Sequence, residues 1–120
     1  MTVLDSSAVL AFLQGETGAD QALAAFDGGV VGAANWSEVA QKVRSRGADW
    51  ALARSLLMSY GLRVESVSMS DAEIAAQHWI RGSGLSLADR LCLALAERLH
   101  ESVLTADRAW GESEQIKQLR

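Results

Sequence analysis

The strongest constraint on this chain is an alternation. Apolar runs of only two to four residues recur between longer stretches of helical periodicity. Thr2-Val3-Leu4-Asp5 reads as a short buried strand, Val30-Val31 as a second, Leu62 to Val67 as a third and Ser102-Val103-Leu104-Thr105 as a fourth, with Ile116 to Leu119 as a short edge strand. The helices are expected over Ser6–Gln14, Thr17–Phe26, Asn35–Arg46, Asp49–Tyr60, Ser70–Ile80 and Ser86–His100, with a short helical turn after Asp107. The last full helix is the clearest, with Leu87, Leu91, Leu95 and Leu99 at spacing four. There is no proline, so glycine alone punctuates, as at Gly28-Gly29, Gly47 and Gly61. Strands alternating with helices imply an α/β fold, a mostly parallel sheet of four to five short strands. Each crossover holds two helices, and the sequence does not say which of them lies on the sheet.

A chain of 120 residues is the size of one domain, expected here over 1–120. Hydrophobic residues at 49% and charged residues at 22% exclude a disordered or collagen-like chain. The single cysteine cannot form an internal disulfide, so nothing points to an oxidising compartment. The longest early apolar run, Ala8 to Leu13, is far short of the ~20 residues of a membrane span. No basic residue precedes it, and a cytoplasmic protein with no membrane association is expected. The net charge of −4 argues against a basic nucleic-acid clamp, yet leaves room for acids that hold divalent cations.

The acids are where the chemistry lies. Asp5 ends the first strand and Asp107 follows the fourth. Sites in open parallel sheets form outside the carboxyl ends of the strands. Glu38 is expected in the first turn of the helix after the second strand, and Asp89 in the first turn of the helix that leads into the fourth. Four carboxylates from distant segments therefore converge on one edge if the strands are parallel. Each has a bland reading as well. Asn35-Trp36-Ser37-Glu38, Ser70-Asp71-Ala72-Glu73 and Ser86-Leu87-Ala88-Asp89 all fit a capping-box pattern, and Asp5 and Asp107 can cap the helices behind them. Taken together the acids say more. Two carboxylates ~5 Å apart repel by about 3 kcal/mol at an effective dielectric of ~20, so a cluster of four calls for a cation. Oxygen-only ligands suit Mg²⁺ or Mn²⁺. Such ions lower the pKa of a bound water and stabilise a leaving oxygen, which is the chemistry of phosphodiester hydrolysis.

Val3-Leu4-Asp5-Ser6-Ser7-Ala8, a Glu on the helix after the second strand, Leu85 to Ala96 around Asp89, and Val103-Leu104-Thr105-Ala106-Asp107-Arg108 together resemble the PIN-domain family, and within it the VapC-type toxins of bacterial toxin–antitoxin pairs. The resemblance runs from residue 2 to about 110. It implies a parallel sheet with helices on both faces and a Mg²⁺- or Mn²⁺-dependent endoribonuclease leaving 5′-phosphate and 3′-hydroxyl ends. It implies Asp5, Glu38, Asp89 and Asp107 as the catalytic and metal-holding quartet, with Ser6 and Thr105 supporting them. It also implies an RNA substrate, a VapB-like antitoxin as partner and a homodimer. Many members carry a further acid two residues after the last Asp. Here that residue is Ala109, which bears on a second metal.

Other residues carry readings of their own. Arg90 and Arg108 each follow a quartet acid, placed either to hold RNA phosphates or to pair with neighbouring acids. Lys42, Arg44 and Arg46 read as a solvated helix face before a guide for RNA, His78 and His100 as structural, Cys92 as a small core residue, and Trp36, Trp50, Trp79 and Trp110 as packing residues before platforms for stacked bases. Leu91 to Ala96 is apolar on every side and is expected deep in the core or at a dimer seam. Leu10, Phe12, Leu13, Leu23 and Phe26 form an apolar face for core packing or for an antitoxin tail. A PIN-like module that binds RNA or protein without cutting is the alternative from another class. A haloacid-dehalogenase-type phosphatase requires an Asp where Ser7 stands, and a receiver domain requires a late Lys that Lys117 is too near the terminus to supply.

Overall fold

A computed structural model describes residues 1–119. Its elements, in chain order, are β1 (Val3–Leu4), α1 (Ser6–Leu13), α2 (Ala19–Phe26), β2 (Val30–Gly32), α3 (Ala33–Ser45), α4 (Trp50–Ser59), β3 (Arg63–Glu65), α5 (Met69–Gln77), α6 (Leu87–Leu99), β4 (Val103–Thr105) and β5 (Ile116–Gln118), with one 3-10 turn at Arg108–Trp110. The sheet order is β3-β2-β1-β4-β5 and every pairing is parallel. Val3 stands opposite both Val30 and Val103, so the first strand is the centre of the sheet.

Alternation along these short strands divides the core in two. Leu4, Val31 and Leu104 face one side, where they pack with Ala8, Val9, Phe26, Val39, Val43 and Leu57 from α1 to α4. Val3, Val30 and Val103 face the other side and pack with Cys92, Leu95 and Ala96 of α6. Helices thus cover both faces. The two-helix crossovers resolve differently. All four helices of the first two crossovers contribute to the first core, whereas in the third α6 lies on the sheet and α5 packs against α6.

Some boundaries depart from the expectations. α3 begins at Ala33 rather than Asn35, because extended Gly32 (φ −70°, ψ 151°) turns straight out of β2 into the helix. The expected Asn35–Glu38 cap therefore does not exist, and Glu38 lies in the second turn, not the first. The box on α5 is Ser68 with Asp71, two residues before the expected Ser70. The box Ser86–Asp89 on α6 forms as read. Leu91 and Leu93 remain half-exposed, so the apolar run of α6 is not buried all round. Trp36 and Trp50 stack edge to face at 5.1 Å, and His78 lies 3.0 Å from Glu97, which are packing and structural roles as expected. Among the described residues no helix is long and apolar enough to cross a membrane.

Candidate active site

Because all five strands run the same way, the chain leaves β1 and β4 at the same edge. Asp5 is the N-cap of α1, accepting from the Ala8 N–H at 3.1 Å. The sequence's bland reading of Asp5 as a cap is thus true, but it is incomplete. Asp5 is only 3% exposed, and two further hydroxyls reach it: Ser7 Oγ donates to Oδ1 at 2.5 Å and Thr105 Oγ1 to Oδ2 at 2.7 Å. Burial raises its pKa above the ordinary carboxylate value, and the bonds from Ser7, Thr105 and Ala8 oppose that rise without cancelling it.

Asp107 is exposed and caps the 3-10 turn through the Ala109 N–H at 2.9 Å. Its own N–H donates to Thr105 Oγ1 at 3.0 Å. One hydroxyl therefore touches the Asp5 carboxylate and the Asp107 backbone. Ser7 adds a second tie across the edge, accepting from the Ala106 N–H at 2.9 Å and lying 3.2 Å from Thr105 Oγ1. Gln118 on β5 closes the Asp107 loop, its amide donating to the carbonyls of Asp107 and Gly111 at 2.9 and 2.8 Å. Neither Ser7 nor Gln118 is among the site residues expected from the sequence. Ser7 carries a signal, a second hydroxyl directly behind a strand-end acid; Gln118 carries none.

Glu38 is joined to the same edge by Ser6, whose hydroxyl donates to Oε1 at 2.9 Å, and by Asn35, whose Nδ2 donates to the same oxygen at 3.1 Å. Asp89 sits in the first turn of α6, where its Oδ2 accepts from the Ser86 N–H at 2.9 Å. The Cys92 thiol lies one turn further on. Burial drives its pKa well above the usual thiol value, and the charges of Asp5, Asp89 and Glu38 drive it further the same way.

Among the described residues no three Asp, Glu, His or Cys side chains stand close enough to enclose an ion by themselves. The donor set still fits a hard dication. It consists of carboxylate oxygens, and Mg²⁺ retains several waters while binding through one or two carboxylates. The one soft donor nearby, Cys92, is fully buried and held as a thiol, which disfavours a thiolate metal.

The two arginines diverge. The Arg90 guanidinium turns away to α5, where Nη1 donates to the Ala75 carbonyl at 3.1 Å and Nε is buried without a partner. Arg108 is exposed and lines an open cleft of about 520 Å³ with Gly15, Glu16, Thr17, Ala106 and Leu119. A second cleft, of about 270 Å³, runs from Ser6 and Glu38 along α3 past Gln41, Lys42 and Ser45, over Leu10. Lys42 is thereby separated from Arg44, with which the sequence grouped it.

The model of the PIN domain matches residues 2–113. The chain is 34% identical to the VapC ribonuclease Mb2780c of Mycobacterium bovis, over 85% of this chain and 87% of that protein. It shows the same identity and coverage with ribonuclease VapC42 of Mycobacterium tuberculosis. Among solved structures, a toxin–antitoxin complex from Klebsiella pneumoniae superposes with a TM-score of 0.83 at 18% identity, covering 100% of this chain and 98% of that one. PAE2754 from Pyrobaculum aerophilum superposes with a TM-score of 0.66 at 17% identity, covering 98% and 88%.

Proposed function

Since this chain belongs to the PIN-domain family, we propose that it is a metal-dependent endoribonuclease, the toxin of a toxin–antitoxin pair, with Asp5, Glu38, Asp89 and Asp107 as its working acids. The observation that carries the reading is the shared edge at the ends of β1 and β4, where the Thr105 hydroxyl donates to the Asp5 carboxylate and accepts the Asp107 N–H. The VapC ribonucleases among its relatives support the choice of RNA as substrate.

Asp5 and Asp107 would hold Mg²⁺ or Mn²⁺ directly, with Asp89 and Glu38 bound directly or through water. The ion would supply an acidified water and offset charge on the leaving oxygen of a phosphodiester. The protein's own part is orientation. Ser7, Thr105 and the Ala8 N–H fix both oxygens of Asp5, and Ser6 and Asn35 fix one oxygen of Glu38. Arg108 is the arginine free to meet a phosphate, while Arg90 serves to join α6 to α5. Lys42 offers a second cation in the cleft that begins at Ser6 and Glu38.

The protein acts in the cytoplasm as a homodimer and is silenced by a VapB-like antitoxin. Of the apolar residues considered for an antitoxin tail, Phe26 belongs to the core, in edge-to-face contact with Phe12 at 5.1 Å. Leu10 and Leu13 do reach the surface, in a cleft with Val43, Arg46, Ala48 and Ala53, and are the contacts retained for that partner.

The test is a Mn²⁺ titration by calorimetry on the parent chain and on an Asp5→Ala/Asp107→Ala variant checked for folding, followed by RNA cleavage. Uptake and cleavage in the parent, both lost in the variant, are expected. A folded parent with neither activity would favour a PIN-like binding module that does not cut.

A further inference from the structure

Asn35 lies in the first turn of α3 and is only 1% exposed. Its amide nitrogen faces two acceptors on different helices: Glu38 Oε1 at 3.1 Å and the carbonyl of Ala88 at 3.4 Å, the residue before Asp89. Because both partners only accept, the amide has one workable orientation. Oδ1 is left buried with no partner, in the space beside Gly32, where a Cβ would lie 3.4 Å from it.

A residue retained only to fill the core would not be built this way. An apolar side chain of similar volume fills the same space without an orphaned acceptor. Nor is Asn35 a helix cap, since α3 starts two residues earlier. What its geometry does provide is a link between two acid-bearing segments. It shares Glu38 Oε1 with Ser6, so both donors pull the same oxygen inward. Among the described residues the other oxygen, Oε2, has no hydrogen-bond partner. The same amide reaches the turn of α6 that carries Asp89.

We propose that Asn35 is a positioning residue: it sets the orientation of the Glu38 carboxylate and ties it to the first turn of α6, so that Glu38 and Asp89 are held in register. This rests on the reading of those two acids as part of a metal-dependent site. Loss of a partner that orients a metal-holding group costs about 10–100-fold in affinity or activity. Asn35→Ala in the full chain is therefore expected to weaken Mn²⁺ binding by calorimetry about tenfold or more. RNA cleavage should lose kcat by a similar factor, with KM changed less than about twofold. In a Glu38→Gln background the same substitution should add almost nothing, because residues acting through one group are not additive.

Asn35→Asp keeps the shape if Asn35→Ala fails to fold. It places an acceptor where Glu38 needs a donor, so the folded variant should show a comparable loss of Mn²⁺ binding and cleavage. The inference is overturned if Asn35→Ala binds Mn²⁺ and cleaves like the parent, if its effect multiplies in full on Glu38→Gln, or if Asn35→Asp binds and cleaves like the parent. A parent that neither takes up Mn²⁺ nor cleaves RNA removes the proposed function, and this inference with it. An active parent with an indifferent Asn35 removes the inference alone.

Discussion

The Thr105 hydroxyl lies 2.7 Å from Asp5 Oδ2, a bond that spans one hundred positions of sequence and is wholly buried. The same oxygen accepts the Asp107 N–H at 3.0 Å. Thr105→Val keeps the volume and the β-branch but leaves an acceptor and a donor unmet. We expect it to lose about 1–3 kcal/mol of stability in denaturant melts and about 10–100-fold in RNA cleavage. Thr105→Ser, which retains the hydroxyl, should recover most of the cleavage. A valine variant that cleaves at the parent rate would remove Thr105 from the site.

Asp5 is held at a cost. Burial raises its pKa above the value it has in the unfolded chain. For an acid shifted in that direction, its favourable contribution is present below the unfolded pKa and is lost as pH rises through the folded pKa. At neutral pH, without metal, ionised Asp5 is therefore destabilising. Asp5→Asn should melt about 3–6 °C higher than the parent in chelator at pH 7, the shift that about 1 kcal/mol gives a domain this size. It should also be inactive on RNA. A lower melting temperature would show that the three donors to the carboxylate outweigh its burial.

Asp71 behaves in the opposite sense. Its burial raises the pKa, but the Arg98 guanidinium at 2.7 and 3.2 Å, with Ser68, brings the net value below the ordinary one. The stability it contributes is present above the unfolded pKa and is lost as pH falls through the folded value. Arg98 is about a third exposed, so Asp71→Asn should cost about 1–3 kcal/mol at pH 7, as for a hydrogen bond to a charged group. That difference should shrink below about pH 4. A difference that does not change with pH would mean the pair is not the source.

Lys42 lines the cleft that begins at Ser6 and Glu38, whereas Arg44 is about 200° further round α3. If single-stranded RNA follows that cleft, Lys42→Ala should reduce the slope of log affinity against log salt by about 0.7, the contribution of one phosphate. Arg44→Ala should leave it nearly unchanged. Fluorescence anisotropy with a short RNA and no metal is the measurement. Equal slopes for Lys42→Ala and the parent would place the RNA elsewhere.

Much of this was readable in the sequence. The alternation of short apolar runs with helices implies the parallel sheet, which puts Asp5 and Asp107 at one edge, and the Ser86–Asp89 box placed α6. Asn35 was misread because a helix that leaves a strand through Gly32 needs no side-chain cap, and so the chain carries no start signal at Ala33. Ser68 was displaced by the equally suitable Ser70, since both are followed three residues later by an acid. The turn of Arg90 toward Ala75 was not readable at all, because it depends on α5 packing against α6 rather than on any local pattern.

The central place of β1 has a consequence for how the protein is made. A strand at the N-terminal end of the chain sits between β2 and β4, and β4 is translated about a hundred residues later. Until Val103 to Asp107 have emerged from the ribosome, Asp5 lacks Thr105, and the edge that gathers the acids has only one side. Pairing over such a separation is intrinsically slow. Such a site cannot form on the emerging chain until both strands are present, because the segment that carries Asp5 waits for one made about a hundred residues later.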